Sequence, residues 1–151
     1  MMYMLDTNIV SYLMRGQDEV LAQKVAGHIA KDICISSITY AELRYGIDRK
    51  DDGLKKSQLE RSLILFLSGI RVVDFDDQAS IAYGRICSAL EKNGNRIGLM
   101  DMLIAANAIS RGDVLITHNT REFVRIEGLK VEDWVLDPVP DTGKSMTRRL
   151  Q

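Results

Sequence analysis

Short apolar runs alternate along this chain with longer segments of mixed polarity. Tyr3 to Leu5, Ile33 to Ile35, Arg71 to Val73 and Val114 to Ile116 read as strands, with a fifth at Val131 to Val135. The segments Asn8 to Arg15, Glu19 to Ala30, Thr39 to Arg49, Leu54 to Ser68, Gln78 to Asn93 and Met102 to Ser110 are of helix length. Strand alternating with helix calls for parallel strands joined by crossovers. The pattern therefore predicts an α/β/α sandwich, a central parallel sheet of four to five strands with helices on both faces. Asn93-Gly94-Asn95 ends one helix, and Arg111-Gly112-Asp113 turns the next into a strand.

At 151 residues the chain is long enough for one domain with a real core and too short for two of ordinary size. The folded unit is expected over residues 1–135. Residues 136–151, with Pro138, Pro140, Gly143 and Arg148-Arg149, are expected to be an extended or disordered tail. Gly143-Lys144-Ser145 is set aside as a phosphate loop, because Pro138 stands where the first glycine belongs and no helix follows.

Hydrophobic content of 46% and charged content of 27% match a soluble globular protein, with no run approaching the roughly 20 apolar residues that span a bilayer. Residues 1–15 lack a basic start followed by an apolar block, so a cytoplasmic location is expected. The formal net charge of -1 gives no global sign of nucleic-acid binding, and any polyanion contact must come from local patches. Cys34 and Cys87 lack metal-ligand spacing and read as small buried hydrophobes.

Three acids depart from the pattern. Asp6 ends the first apolar run, Glu42 sits among Ile38, Ala41 and Tyr45 at helical spacing, and Asp101 opens an almost wholly apolar helix. Each has a bland reading. Asp6 and Asp101 would serve as helix N-caps, and Glu42 would lie at an edge paired with Arg44 or Arg49. Tyr40, Leu43 and Ile47 form a second apolar stripe opposite Glu42, so either side of that helix could be buried. Converging carboxylates about 5 Å apart would repel by roughly 3 kcal/mol per pair at an effective dielectric of 20. A proton, a base or a cation must relieve that repulsion. Oxygen ligands without organised His or Cys point to a hard ion, Mg²⁺ or Mn²⁺, rather than zinc.

Taken in order, four motifs resemble the PIN-domain family, most closely its VapC-type ribonuclease toxins. They are Met4-Leu5-Asp6-Thr7-Asn8; Ile35-Ser36-Ser37 leading into Ala41-Glu42-Leu43-Arg44-Tyr45-Gly46; Gly98-Leu99-Met100-Asp101-Met102-Leu103-Ile104-Ala105-Ala106; and Thr117-His118-Asn119-Thr120-Arg121-Glu122-Phe123. The similarity runs from about residue 2 to Trp134. It implies a PIN-like α/β/α sandwich and an endoribonuclease dependent on Mg²⁺ or Mn²⁺. It further implies Asp6, Glu42 and Asp101 as metal ligands, with Thr7 and Thr117 placing water. Many family members carry a fourth acid where this chain has Asn119, so that role would pass to water, to Glu122 or to Asn119 as a neutral ligand. Arg44, Arg96 and Arg121 are candidates for guiding the RNA backbone, with solvated surface charge as the bland reading of each. The resemblance also implies a cognate antitoxin blocking the site, and a homodimer. Exposed apolar faces on residues 8–30 and 39–68 are places where a partner could bind.

Two other readings compete. One is a PIN-like module that binds RNA or a partner without cutting, made plausible by Asn119. The other is a phospho-receiver switch, which fits poorly because it needs adjacent acids after the first strand and a late lysine. His118 reads as a polar loop residue, His28 as structural and Trp134 as packing.

Overall fold

A computed structural model describes residues 1–16 and 18–135; the expected tail and its Gly143-Lys144-Ser145 lie outside them. Five strands, β1 (Tyr3–Leu5), β2 (Ile33–Ser36), β3 (Arg71–Val73), β4 (Val114–Ile116) and β5 (Lys130–Glu132), form one sheet in the order β3-β2-β1-β4-β5. Every pairing is parallel. Helices α1 (Thr7–Arg15), α2 (Glu19–Ala26), α3 (Ser37–Asp48), α4 (Gly53–Phe66), α5 (Asp77–Lys92), α6 (Leu99–Arg111) and α7 (Thr120–Phe123) fill the connections.

Side chains alternate across a strand, which divides the sheet's apolar residues between two cores. Met4, Cys34 and Leu115 point toward α5 and α6, where Ile86, Leu90, Met102 and Ile104 meet them. Leu5, Ile33, Ile35 and Ile116 point the other way, toward Ile9 and Val10 of α1, Leu21 of α2, Leu43 and Ile47 of α3 and Leu63 of α4. Each such buried aliphatic contributes about 1.5–3 kcal/mol relative to exposure. The central strands are covered on both faces and so read as unbroken apolar runs.

Several boundaries differ from the sequence reading for local reasons. The second helix stops at Ala26, where Gly27 donates its N–H to Gln23 O at 2.9 Å, and a 3-10 turn at Ala30–Asp32 then leads into β2. The fifth strand begins at Lys130 and ends at Glu132, and Trp134 beyond it is buried against the second core. Helix α6 starts at Leu99, ahead of Asp101, and ends at Gly112 in the left-handed region at φ 72°, which an L side chain rarely adopts. The four-residue α7 was too short to leave a periodic signal.

Candidate active site at the carboxyl edge of the sheet

Because all strands are parallel, their carboxyl ends share one edge. The strand order reverses at β1, since the chain runs outward through β2 and β3 and returns to β4 on the other side. Crossovers on either side of such a point leave on opposite faces and open a crevice. Asp6 and Thr117 stand in it. The β1–β4 register pairs Leu5 with Ile116, so the next residues, Asp6 and Thr117, fall opposite each other, and the Thr117 hydroxyl hydrogen-bonds the Asp6 carboxyl. Asp6 also caps α1, accepting from Ile9 N–H at 2.9 Å. The N-cap reading of Asp6 therefore holds, and the carboxyl is nonetheless buried at the crevice.

Glu42 comes from α3. Its Oε1 accepts the Thr7 hydroxyl at 2.7 Å, linking the first residue of α1 to the middle of α3, two helices that follow adjacent strands. The stripe of Ile38, Ala41 and Tyr45 is not the helix's buried face: Ala41 is exposed and Tyr45 is 67% exposed. The core takes Thr39, Leu43, Gly46 and Ile47, because the branched aliphatics fill the space above β1 and β2. Glu42, about 100° from Leu43, is left half-buried at the margin of that face. Arg44 pairs instead with Glu60 at 3.1 Å and Asp48 at 3.4 Å, and Arg49 lies 5.9 Å from the Tyr45 ring centroid.

Asp101 is the third residue of α6 rather than its cap; Gly98 takes the cap position without a side-chain hydrogen bond. The Asp101 Oδ2 lies 3.7 Å from where a Cβ on Gly98 would sit. It is thus held at a helix N-terminus, whose dipole favours negative charge. Residues Leu99 and Met100, both exposed, precede it at the rim.

The three acids interact electrostatically. Burial pushes the Asp6 carboxyl from 3.8 up to about 7; the hydrogen bonds from Thr117 and Ile9 pull it down, and the charges of Asp101 and Glu42 push it up. The donor set is all oxygen, and burial together with the two neighbouring acids raises the Asp6 carboxyl to about 7. These are the properties a hard cation satisfies. Among the described residues no three acids, histidines or cysteines close into a ready metal cage; the acids flank an open edge.

Thr117 donates to Asp6 and accepts from Asn119 N–H at 2.9 Å, while the Asn119 amide donates to Glu122 Oε2 at 2.9 Å. Asn119 and Glu122 are therefore coupled directly to the crevice. Of the arginines, Arg44 is occupied by its two acids. Arg96 is exposed and 3.8 Å from Glu91, and Arg121 is exposed on α7 with no ion pair among the described residues. His118 bonds Asp133 at 3.0 Å. The His28 Nδ1 donates to Lys24 O at 2.8 Å, and its ring stacks 4.4 Å from Trp134 and meets Tyr3 edge-on at 4.7 Å, so both His28 and Trp134 serve packing.

Two further residues at this edge, Ser37 within a quoted motif and Thr39, had no role assigned from the sequence. Ser37 accepts from Phe75 N–H at 3.1 Å, tying the start of α3 to the loop after β3. Thr39 is wholly buried, with its Oγ1 3.3 Å from Thr7 Oγ1. A threonine inside a helix carries no distinguishing signal, and only the meeting of α1 with α3 gives it a partner. A cavity of about 630 Å³ lies elsewhere, between α5, the end of α6 and the loop before β5, and none of the three acids lines it. No helix among the described residues is long and apolar enough to cross a membrane.

Comparison with known proteins gives a consistent picture. The PIN domain profile matches residues 3–129. The tRNA(fMet)-specific endonuclease VapC of Salmonella typhimurium is 38% identical over 135 residues, covering 87% of this chain and 97% of that protein. Ribonuclease VapC2 of Rickettsia felis is 39% identical over 136 residues, covering 89% and 98%. Among solved structures, VapBC2 from Rickettsia felis bound to a DNA fragment from its promoter superposes with a TM-score of 0.81 at 38% identity, covering 89% of this chain and 99% of that one. DNA-bound VapBC from Salmonella typhimurium gives 0.82 at 36% identity, covering 89% and 98%.

Proposed function

The chain belongs to the PIN-domain family, and from that premise we propose that it is the ribonuclease toxin of a toxin–antitoxin pair, cutting RNA phosphodiester bonds with Mg²⁺, or Mn²⁺ in its place. The observation that carries the reading is the buried Asp6 carboxyl, raised to about 7 and flanked by two further acids at the sheet's switch point. Asp6, Glu42 and Asp101 would hold the ion, which when bound lowers the pKa of a coordinated water and neutralises charge on the phosphate.

The chain's own groups hold this site in shape. Ile9 N–H and the Thr117 hydroxyl fix the Asp6 oxygens, and Thr7 fixes Glu42. Asp101 is held by the first turn of α6. Both threonine hydroxyls are thus engaged with acids, and they act on water through the ligands they orient. Asn119 brings an amide where a fourth acid would add charge, and its partner Glu122 would supply an additional carboxylate. Arg121 and Arg96, exposed near the rim, would guide the RNA backbone.

An antitoxin partner is supported by the toxin–antitoxin complexes among the structural relatives. A groove of about 250 Å³ between α1 and α4, lined by Ser11, Met14, Leu59 and Ser62, lies on the face expected to receive one. A homodimer and a cytoplasmic location complete the reading. Asn119 favours one competitor, a PIN-like module that binds RNA without cutting it. The phospho-receiver has no such support: the sheet order here differs from the 2-1-3-4-5 of flavodoxin-like receivers, and Lys130 lies at the opposite edge.

Purified protein incubated with total RNA in Mg²⁺, in Mn²⁺ and in EDTA, beside an Asp6→Ala variant, separates these readings. Discrete metal-dependent cuts absent from the variant are expected. Intact RNA in every lane, from folded protein that binds RNA, would favour the binding module.

A further inference from the structure

We infer that Thr39 is a positioning residue of this site, whose buried hydroxyl sets the direction of the Thr7 proton and thereby the orientation of Glu42. The inference rests on the proposed metal-binding role of the three acids and adds a residue to it.

A threonine hydroxyl has one proton to donate and lone pairs to accept with. Thr7 Oγ1 lies 2.7 Å from Glu42 Oε1 and 3.3 Å from Thr39 Oγ1. A carboxylate only accepts, so the short contact takes the Thr7 proton. The longer one must then run from the Thr39 hydroxyl to the Thr7 oxygen. Thr39 is 0% exposed and Thr7 is its one side-chain hydrogen-bond partner among the described residues. The alternative arrangement, Thr7 donating to Thr39, would take the Thr7 proton from Glu42 and leave the buried Thr39 proton without an acceptor. The relay Thr39 to Thr7 to Glu42 thus has one sense.

Its consequence is geometric. Glu42 is half-buried on a helix margin, with several rotamers open to it. Thr7 is anchored by its place in the first turn of α1, directly after Asp6. The relay ties Glu42 to the residue that follows Asp6, so two acids from different helices keep a common orientation. Thr39 lies on α3 one turn before Glu42, which lets a single helix supply both the ligand and the group that aims its anchor.

Mn²⁺ affinity measured by titration calorimetry, beside melting temperature, tests this in the full-length protein. Thr39→Val keeps the shape and removes the hydroxyl; it is expected to melt no lower than wild type yet bind Mn²⁺ about threefold to tenfold more weakly, the scale of one hydrogen bond. Thr39→Ser loses a buried methyl and melts lower, yet keeps wild-type affinity. Thr7→Val weakens binding as well, and adding Thr39→Val to it causes no further loss, because Thr39 acts through Thr7. A purely structural role would make affinity follow melting temperature, with Thr39→Ser the weaker binder, and would overturn the inference. So would a double variant showing the product of the two single losses. Wild type that binds no Mn²⁺, or binds it equally after Asp6→Ala, would instead overturn the metal reading and the Thr39 role with it.

Discussion

Asp6 and Asp113 stand at opposite edges of the same sheet, each 4% exposed, and they are compensated in opposite ways. Asp113 precedes β4 at the amino edge, where the Arg111 guanidinium donates to it at 2.7 Å and the Cys34 thiol lies 3.7 Å away. The charge is closed within the chain. Cys34 shows the other side of that arrangement: burial first, and then the Asp113 charge, push its thiol up to about 12, which leaves it inert. Asp6 follows β1 at the carboxyl edge and receives a backbone N–H, a hydroxyl and the repulsion of two acids. Equal burial therefore means a finished structural pair at one edge and an open electrostatic demand at the other. Burial alone does not single out a candidate site acid; burial beside two further acids, at a switch point, is what distinguishes Asp6 from Asp113.

The widest gap between the two edges should appear in activity. Asp6→Ala is expected to lower metal-dependent RNA cleavage at least about a hundredfold, as loss of a metal ligand does, while Asp113→Asn leaves cleavage within about twofold. Gel assays on folded variants check this, and equal losses at both positions would erase the distinction.

Next comes pH. The folded Asp6 carboxyl titrates near 7 against 3.8 in its reference state, so the folded protein binds this proton more tightly than the unfolded chain. Its contribution is complete below about pH 4 and is lost as pH rises toward 7, a fall on the order of 4 kcal/mol for about three units. Urea unfolding in EDTA at pH 5 and pH 8 should show somewhat more than half of this decline, and Asp6→Asn should flatten it. Stability that rises over the same range in wild type alone would contradict the account.

The last effect belongs to the closed edge. Arg111→Met leaves Asp113 buried without its partner and is expected to lower stability by about 3 kcal/mol, the low end for a broken buried pair because the Arg111 side chain is 31% exposed. Added Mg²⁺ should not restore it.

The same contrast explains what could be read from the chain. The strand cores and the parallel order were legible because strands covered on both faces must be continuously apolar, as Ile33 to Ile35 and Val114 to Ile116 are. Asp6 and Glu42 were legible as acids out of place. Asp101 was visible but misplaced within its helix, since Gly98 offers no capping side chain and the exposed Leu99 and Met100 hid the true start. Asp113 was not legible, because an Arg-Gly-Asp turn reads as solvated and only the folded chain returns Arg111 onto it. Thr39 was hidden for a similar reason: its partner Thr7 is 32 residues away.

The most direct measurement is calorimetry of Mn²⁺ binding at pH 6 in buffers of different ionisation enthalpy, which counts protons released. Displacement of the Asp6 proton by the ion predicts release of close to one proton in wild type and almost none in Asp6→Asn, with weaker binding in the variant. Binding with no proton release, unchanged by the substitution, would show that Asp6 is not the open charge the ion answers.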